Sequence, residues 1–246
     1  MSASPLRQII ALSIFLALSS ATMDQTFVQD VRKDGTSTIE KTMDISIFAN
    51  QLPGSSLQMM ADFCSKTTKA SCSVDTASKI ITIKEAFAPG SYYSVDSEFG
   101  LPYTTETLTI ERIPNDRFGQ TLNMILAAAN ISDSGGVPAL NLRSDNNQSA
   151  MVLRKLKANL TYTVKMPSAV AEAKAGSYSA SIDGNNARFD LIEVLSQSQP
   201  MVVVTKETNV VAVVVIIMVI VLAALAYSFF ATRPSKTRKK KAGKKP

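Results

Sequence analysis

Apolar and polar positions alternate most regularly between Lys155 and Met166. Leu156, Ala158, Leu160, Tyr162, Val164 and Met166 fall on one side, and Lys155, Lys157, Asn159, Thr161, Thr163 and Lys165 on the other. A period of two predicts a strand with one buried and one wet face, here extended back to about Met151. A second such pattern opens the chain after residue 26. Phe27 to Lys33 leads into Asp34-Gly35, a pair suited to a tight turn, and the chain returns through Thr36 to Phe48. On the return, Ile39, Met43, Ile45 and Ile47 share a face that only Lys41 breaks. Lys79 to Glu85, Thr104 to Ile113, Ala187 to Leu191 and Met201 to Val204 complete the predicted strands.

Helical spacing appears twice. Leu57, Met60, Ala61 and Cys64 follow Ser55-Ser56, which can cap a helix, and Phe118, Leu122, Ile125, Leu126 and Ala129 mark a second helix from about Asp116 to Ala129. Phe87 to Tyr103 carries Pro89-Gly90, Gly100 and Pro102 among five aromatic residues and reads as a long loop. Asn130 to Ser149 reads as a second, polar loop. Strands interspersed with two amphipathic helices predict an α+β domain with a mainly antiparallel sheet.

The strongest apolar signal lies near the C-terminus, where Val210 to Ala231 contains no charge. Twenty-two residues of helix cover about 33 Å, enough for a hydrocarbon core of about 30 Å. Arg233, Lys236, Arg238, Lys239, Lys240, Lys241, Lys244 and Lys245 follow it. Basic residues beside a span stay in the cytoplasm, so the preceding chain is expected outside. Arg7, the apolar stretch Ile9 to Leu18 and Ser19-Ser20-Ala21 have the layout of a secretory signal peptide. The expected organisation is thus a signal peptide over 1–21, an extracytoplasmic domain over 22–205, a transmembrane helix with a short linker over 206–232, and a basic tail over 233–246.

Charge divides along the same boundaries. The whole chain is +6, but residues 22–232 hold 17 basic and 20 acidic groups and are near −3. The basic excess belongs to the tail, where it suits anionic lipid headgroups, and gives no support for nucleic-acid binding. Cys64 and Cys72 are the two cysteines, and in an oxidising compartment they suit a local disulfide. The alternative is two separately buried thiols. Asn130, Asn147 and Asn159 each begin an Asn-X-Ser/Thr triplet and are candidate glycosylation sites on the outer side.

Catalytic chemistry has little to work with. The chain contains no histidine, which removes Ser-His-Asp and Cys-His catalysis and imidazole metal sites. No glycine-rich phosphate loop occurs, and the nearest calcium-loop match, Ser132-Asp133-Ser134-Gly135-Gly136, has one acid. No cofactor or metal is expected. Tyr92, Tyr93, Phe99 and Tyr103 form the candidate recognition surface, because tyrosines give large contact area at low entropy cost. The competing reading is that these rings cover the edge of the core. Ala224 and Ser228 make one small-xxx-small pair inside the span.

The hairpin Val31-Arg-Lys-Asp34-Gly35-Thr-Ser-Thr-Ile39, the strand Tyr162-Thr-Val-Lys-Met166-Pro167, and an Asp-Gly-Asn turn before Arg188-Phe-Asp-Leu191 carry a family pattern. In these segments the chain resembles the LppM-type domain of bacterial surface lipoproteins and similar archaeal single-span proteins. Ser168 replaces the usual glycine, Phe189 stands for a frequent tryptophan, and no lipobox cysteine lies at the signal-peptide exit. The resemblance implies an extracytoplasmic α+β domain with an apolar groove for lipid, and it brings no catalytic residues. The combined expectation is a single-pass type I protein with a non-enzymatic domain that binds a protein or lipid ligand. The alternative is an accessory subunit of a larger membrane or secretion complex.

Overall fold

A computed structural model describes residues 24–46, 55–66, 71–128, 139–155 and 158–231. The chain forms two compact units. One comprises residues up to Glu98 and Thr105–Glu207, and the other comprises Phe99–Thr104 and everything from Thr208.

The first unit begins with β1 (Asp24–Val31) and β2 (Ser37–Asp44), paired antiparallel from Gln25↔Met43 to Val31↔Ser37. Gly35 takes a positive φ of 80° in the turn, where a side chain would be strained. Asp34 Oδ1 accepts from the Thr36 backbone N–H and hydroxyl, at 3.0 and 2.6 Å, so the acid of the Asp-Gly pair closes the turn with its own side chain. Those bonds hold the Asp34 carboxyl below its usual range.

Helix α1 (Ser56–Lys66) buries Met60 and Cys64, four residues apart on one face. Strands β3 (Ser71–Asp75) and β4 (Ile80–Phe87) follow. Cys64 is disulfide-bonded to Cys72, with Cα atoms 5.1 Å apart, tying α1 to β3. Closing so short a loop restricts the unfolded chain. Replacing both cysteines with alanine should lower stability by about 2–3 kcal/mol in denaturant unfolding. An unchanged midpoint would mean that the loop is already constrained without the bond.

The aromatic-bearing stretch expected as a loop from Phe87 to Tyr103 contains a strand instead. Strand β5 (Tyr93–Phe99) turns into β6 (Tyr103–Ile110), and β7 (Arg112–Ile113) follows. β5 is the last strand of its sheet, where solvated Ser, Asp and Glu side chains are tolerated and blunt the open edge. Ser94, Asp96 and Glu98 alternate with Tyr93, Val95 and Phe99, and only Ser97 breaks the period of two, but the Pro-Gly and Gly-Leu-Pro turns on either side mask so short a strand.

Helix α2 (Asn115–Ala128) buries Phe118, Gly119, Thr121 and Ile125. The short β8 (Leu140–Asn141) precedes α3 (Asn147–Lys155) and β9 (Asn159–Lys165). The long strand predicted from Met151 is therefore corrected: residues 151–155 are helical. Ala150 and Leu153, three apart, supply the buried helical face, and the Asn146 carbonyl accepts from the Ala150 N–H at 2.9 Å.

Strands β10 (Val170–Ala175), β11 (Tyr178–Ser179), β12 (Ser181–Asp183) and β13 (Asn186–Asp190) lead to α4 (Leu191–Gln197) and β14 (Met201–Thr208). Asp190 caps α4 by accepting from the Ile192 and Glu193 N–H groups at 2.8 and 3.4 Å. The Asp-x-x-Glu pattern of a capping box is legible at Asp190 and Glu193, although the periodicity reading passed over it. β14 also runs four residues beyond the predicted end at Val204.

Seven strands form one sheet in the order β12-β13-β9-β1-β2-β4-β3, and five form another in the order β11-β10-β14-β6-β5. Pairing is mostly antiparallel, but β1 runs parallel to β9 from Asp24↔Asn159 to Asp30↔Lys165. One cluster of buried side chains takes Phe27, Ile39, Ile83 and Tyr162 from the first sheet, Leu108 and Val203 from the second, and Met60, Phe118 and Leu195 from helices. The fold is α+β, with four helices among the described residues of this unit where the spacing predicts two amphipathic ones.

In the second unit, α5 (Val210–Ala231) is the single helix among the described residues long and apolar enough to cross a membrane. Its stretch Val210–Ser228 has a mean hydropathy of 3.2 and is 6% buried. Asn209 caps it by accepting from Ala212 N at 3.1 Å, and donates its own N–H to the Pro102 carbonyl at 2.8 Å. The Ser228 hydroxyl donates to the Leu225 carbonyl within the same helix, at 2.8 Å. Ile47, Ala129, the segment expected as a signal peptide and the basic residues after 231 lie outside the described residues.

Candidate functional site

Two places in the first unit bring polar side chains together, one enclosed and one open. The first is a vein through the core. Period two puts Gln25, Phe27, Gln29 and Val31 inward on β1, and Ser37, Ile39, Lys41 and Met43 inward on β2. Register sets Phe27 opposite Lys41 on one side and Tyr162 on the other. Phe27 and Tyr162 stack with centroids 5.7 Å apart, and Lys41 Nζ lies 5.1 Å from the Phe27 centroid and 5.9 Å from that of Phe118. The Tyr162 hydroxyl donates to Gln29 Oε1 at 2.9 Å, and Gln29 Nε2 donates to Ser37 Oγ at 3.1 Å.

Burial pushes the Lys41 ammonium down to about 8 and raises the Tyr162 hydroxyl. A lysine with a lowered pKa has the nucleophilicity of a Schiff-base former. Lys41 is 1% exposed, however, and a substrate carbonyl cannot reach it. The vein lies enclosed within the core.

The second place is an open hollow of about 380 Å³ lined by Tyr92, Glu111, Arg112 and Asp116, with Gly90, Ser91 and Ala139 at its margin. Main-chain bonds from Glu111 N and Arg112 N to the Tyr92 carbonyl, at 3.0 and 3.1 Å, join its walls. The Tyr92 hydroxyl donates to Asp116 Oδ2 at 2.9 Å, and partial burial followed by this bond raises its pKa. Asp116 Oδ1 and Asn115 Oδ1 are buried without a protein donor. Glu111 is held by Arg143 at 2.8 Å. The hollow thus sets the Glu111 and Asp116 side chains near the Arg112 guanidinium, a surface suited to polar contact. Among the described residues, no group of three or more His, Cys, Asp or Glu could hold a metal ion.

The four candidate recognition aromatics separate. Tyr93 is buried, with its hydroxyl 3.0 Å from both the Gly35 and Phe87 carbonyls, and Tyr92 packs edge-on against Phe87 at 5.3 Å. Tyr93 therefore belongs to the core and Tyr92 to the wall of the hollow. Phe99 and Tyr103 are 75% and 51% exposed on the β5–β6 turn, with Leu101 between them at 68%. The aromatic count overlooked Leu101, although its position between Gly100 and Pro102 marks a turn tip.

The acceptor triplets divide too. Asn147 is exposed at the start of α3, and Asn130 lies outside the described residues. Asn159 is exposed at the start of β9, but Thr161, expected on the wet face with it, is buried because α4 packs on this strand. No protein-family model, curated protein or solved structure matches the chain.

Proposed function

We propose that the chain is a single-pass membrane protein presenting a non-enzymatic binding domain on the outer face of the membrane. The observation that carries this reading is α5, 22 residues without a charge that expose apolar side chains around the helix. The basic residues from Arg233 to Lys245 favour a cytoplasmic tail in contact with anionic headgroups. Arg7 and the apolar stretch after it favour an exported N-terminal side. Binding is favoured over catalysis because the lowered-pKa lysine is enclosed and the chain lacks histidine.

A second reading, an accessory subunit of a larger membrane complex, is favoured by strand β5. It ends its sheet with most of its side chains exposed, and an open strand edge accepts a strand from another chain.

Crosslinked co-purification of tagged full-length protein from membranes, with proteins and lipids identified by mass spectrometry, tests both. A substoichiometric ligand or bound lipid is the result expected for a stand-alone binding domain. A stoichiometric membrane partner would replace that reading with the accessory subunit. Recovery in the soluble fraction, with no membrane association, would defeat both.

A further inference from the structure

The second unit combines the start of α5 with the turn between β5 and β6. Residues 99–105, Phe-Gly-Leu-Pro-Tyr-Thr-Thr, carry no charge between Glu98 and Glu106. Phe99, Leu101 and Tyr103 are exposed there, a costly arrangement in water for three large apolar side chains grouped at one tip. The tip is tight: a Cβ on Gly100 would stand 2.7 Å from the Tyr103 carbonyl oxygen, so a side chain there would force the turn open. The Asn209 N–H donates to the Pro102 carbonyl at 2.8 Å, and Val210 begins the apolar helix at the next residue. The exposed tip is therefore fastened to the end of α5 that follows the capping asparagine. Val210 and Val211, the first residues of that helix, are 68% and 72% exposed.

From this fastening we infer that the Phe99–Tyr103 tip inserts into the interfacial layer of the bilayer that α5 enters, as a second membrane contact beside the span. The inference rests on the reading of α5 as a transmembrane helix. Aromatic rings with one polar end settle at the headgroup boundary, which suits Tyr103, while Phe99 and Leu101 suit the acyl margin just beneath it. A helix alone leaves rotation about its axis unconstrained by the bilayer. An apolar tip bonded beside its first residue selects one rotation and holds the helix entrance at the interface.

The test uses the full chain in phosphatidylcholine vesicles. Its two cysteines are joined to each other, so one added cysteine takes a thiol-reactive fluorophore specifically. Leu101→Cys, Phe99→Cys and Val219→Cys variants are labelled with an environment-sensitive dye and quenched by lipids carrying nitroxides at shallow or deep positions. The expected result is deep quenching at residue 219, and at 99 and 101 shallow quenching at least about twofold stronger than deep quenching, consistent with insertion to about 5–10 Å. Deep quenching at 219 with water-like, unquenched emission at 99 and 101 would overturn the inference and leave the span intact. Blue-shifted but unquenched emission at 99 and 101 would also overturn it, by showing that protein, a second copy included, covers the tip. Absence of quenching at all three positions would remove the transmembrane reading and the inference together.

Discussion

Phe118→Ala is expected to lower the unfolding free energy by about 3–5 kcal/mol, the largest effect of any single truncation proposed for this chain. Phe118 is buried on α2 and meets Phe27 and Phe87 edge to face, at 6.1 and 6.3 Å. Its removal forfeits the transfer energy of the ring and leaves a cavity between helix and sheet. It also strips one of the two rings facing Lys41 Nζ, at 5.9 Å, and opens space beside a buried ammonium. Phe118→Leu keeps most of the volume and should lose about half as much. The measurement is denaturant unfolding of the detergent-solubilised full chain, followed by tyrosine near-ultraviolet dichroism because the protein lacks tryptophan. A loss below about 1 kcal/mol for the alanine variant would show that α2 does not pack on the sheet as described.

The second large effect is a stability that rises into alkaline pH. Lys41 titrates near 8 in the folded protein because burial disfavours its charge, against an ordinary value of 10.5. Between these values the unfolded chain holds the proton and the folded chain does not. Stability therefore increases with pH across this window, by about 3 kcal/mol if the whole shift is expressed. Below pH 8 both forms are protonated and this contribution no longer varies with pH.

Tyr162 acts in the opposite sense. Burial raises its folded pKa, so above about 10 the unfolded tyrosine ionises first and stability falls. Tyr92 and Tyr93 are raised as well and add to that fall. Full-length protein should accordingly be most stable near pH 10, and Lys41→Met should flatten the rise from pH 8 while keeping the alkaline fall. Unfolding midpoints at pH 7, 8, 9, 10 and 11 for both proteins check this. Parallel curves for the two would show that Lys41 does not carry the effect.

Lys41 also shows how far sequence reaches. Its position on an apolar face is visible from period two, and so is the hairpin that carries it. What the pattern lacks is the third dimension: Phe118 and Tyr162 arrive from α2 and β9, and no local spacing links them to residue 41. The same limit separates Tyr92 from Tyr93. They are neighbours in sequence, but one reaches the Asp116 hollow and the other the core. β5 alternates Tyr93, Val95 and Phe99 with Ser94, Asp96 and Glu98, but it is short, Ser97 breaks its apolar side, and the flanking Pro89-Gly90 and Gly100-Leu-Pro102 turns make the whole stretch read as a loop. Residues 151–155 misled because an alternating segment begins immediately beyond them. α5 was legible throughout, since a run of 22 uncharged apolar residues needs no partner to declare itself.

The β1–β9 pairing has a consequence for the order of synthesis. In the sheet β12-β13-β9-β1-β2-β4-β3, every strand on one side of that junction is made early and every strand on the other late. The early half can zip up by short-range antiparallel contacts while the ribosome is still producing the polar middle. β1 must then wait, its outer edge unpaired, until Asn159 to Lys165 has emerged. Such a join between distant segments is slow, and an uncapped strand is prone to capture by other chains. The nascent protein is thus most vulnerable to mispairing when more than half of it has been made, and it closes its central seam only shortly before the apolar helix appears.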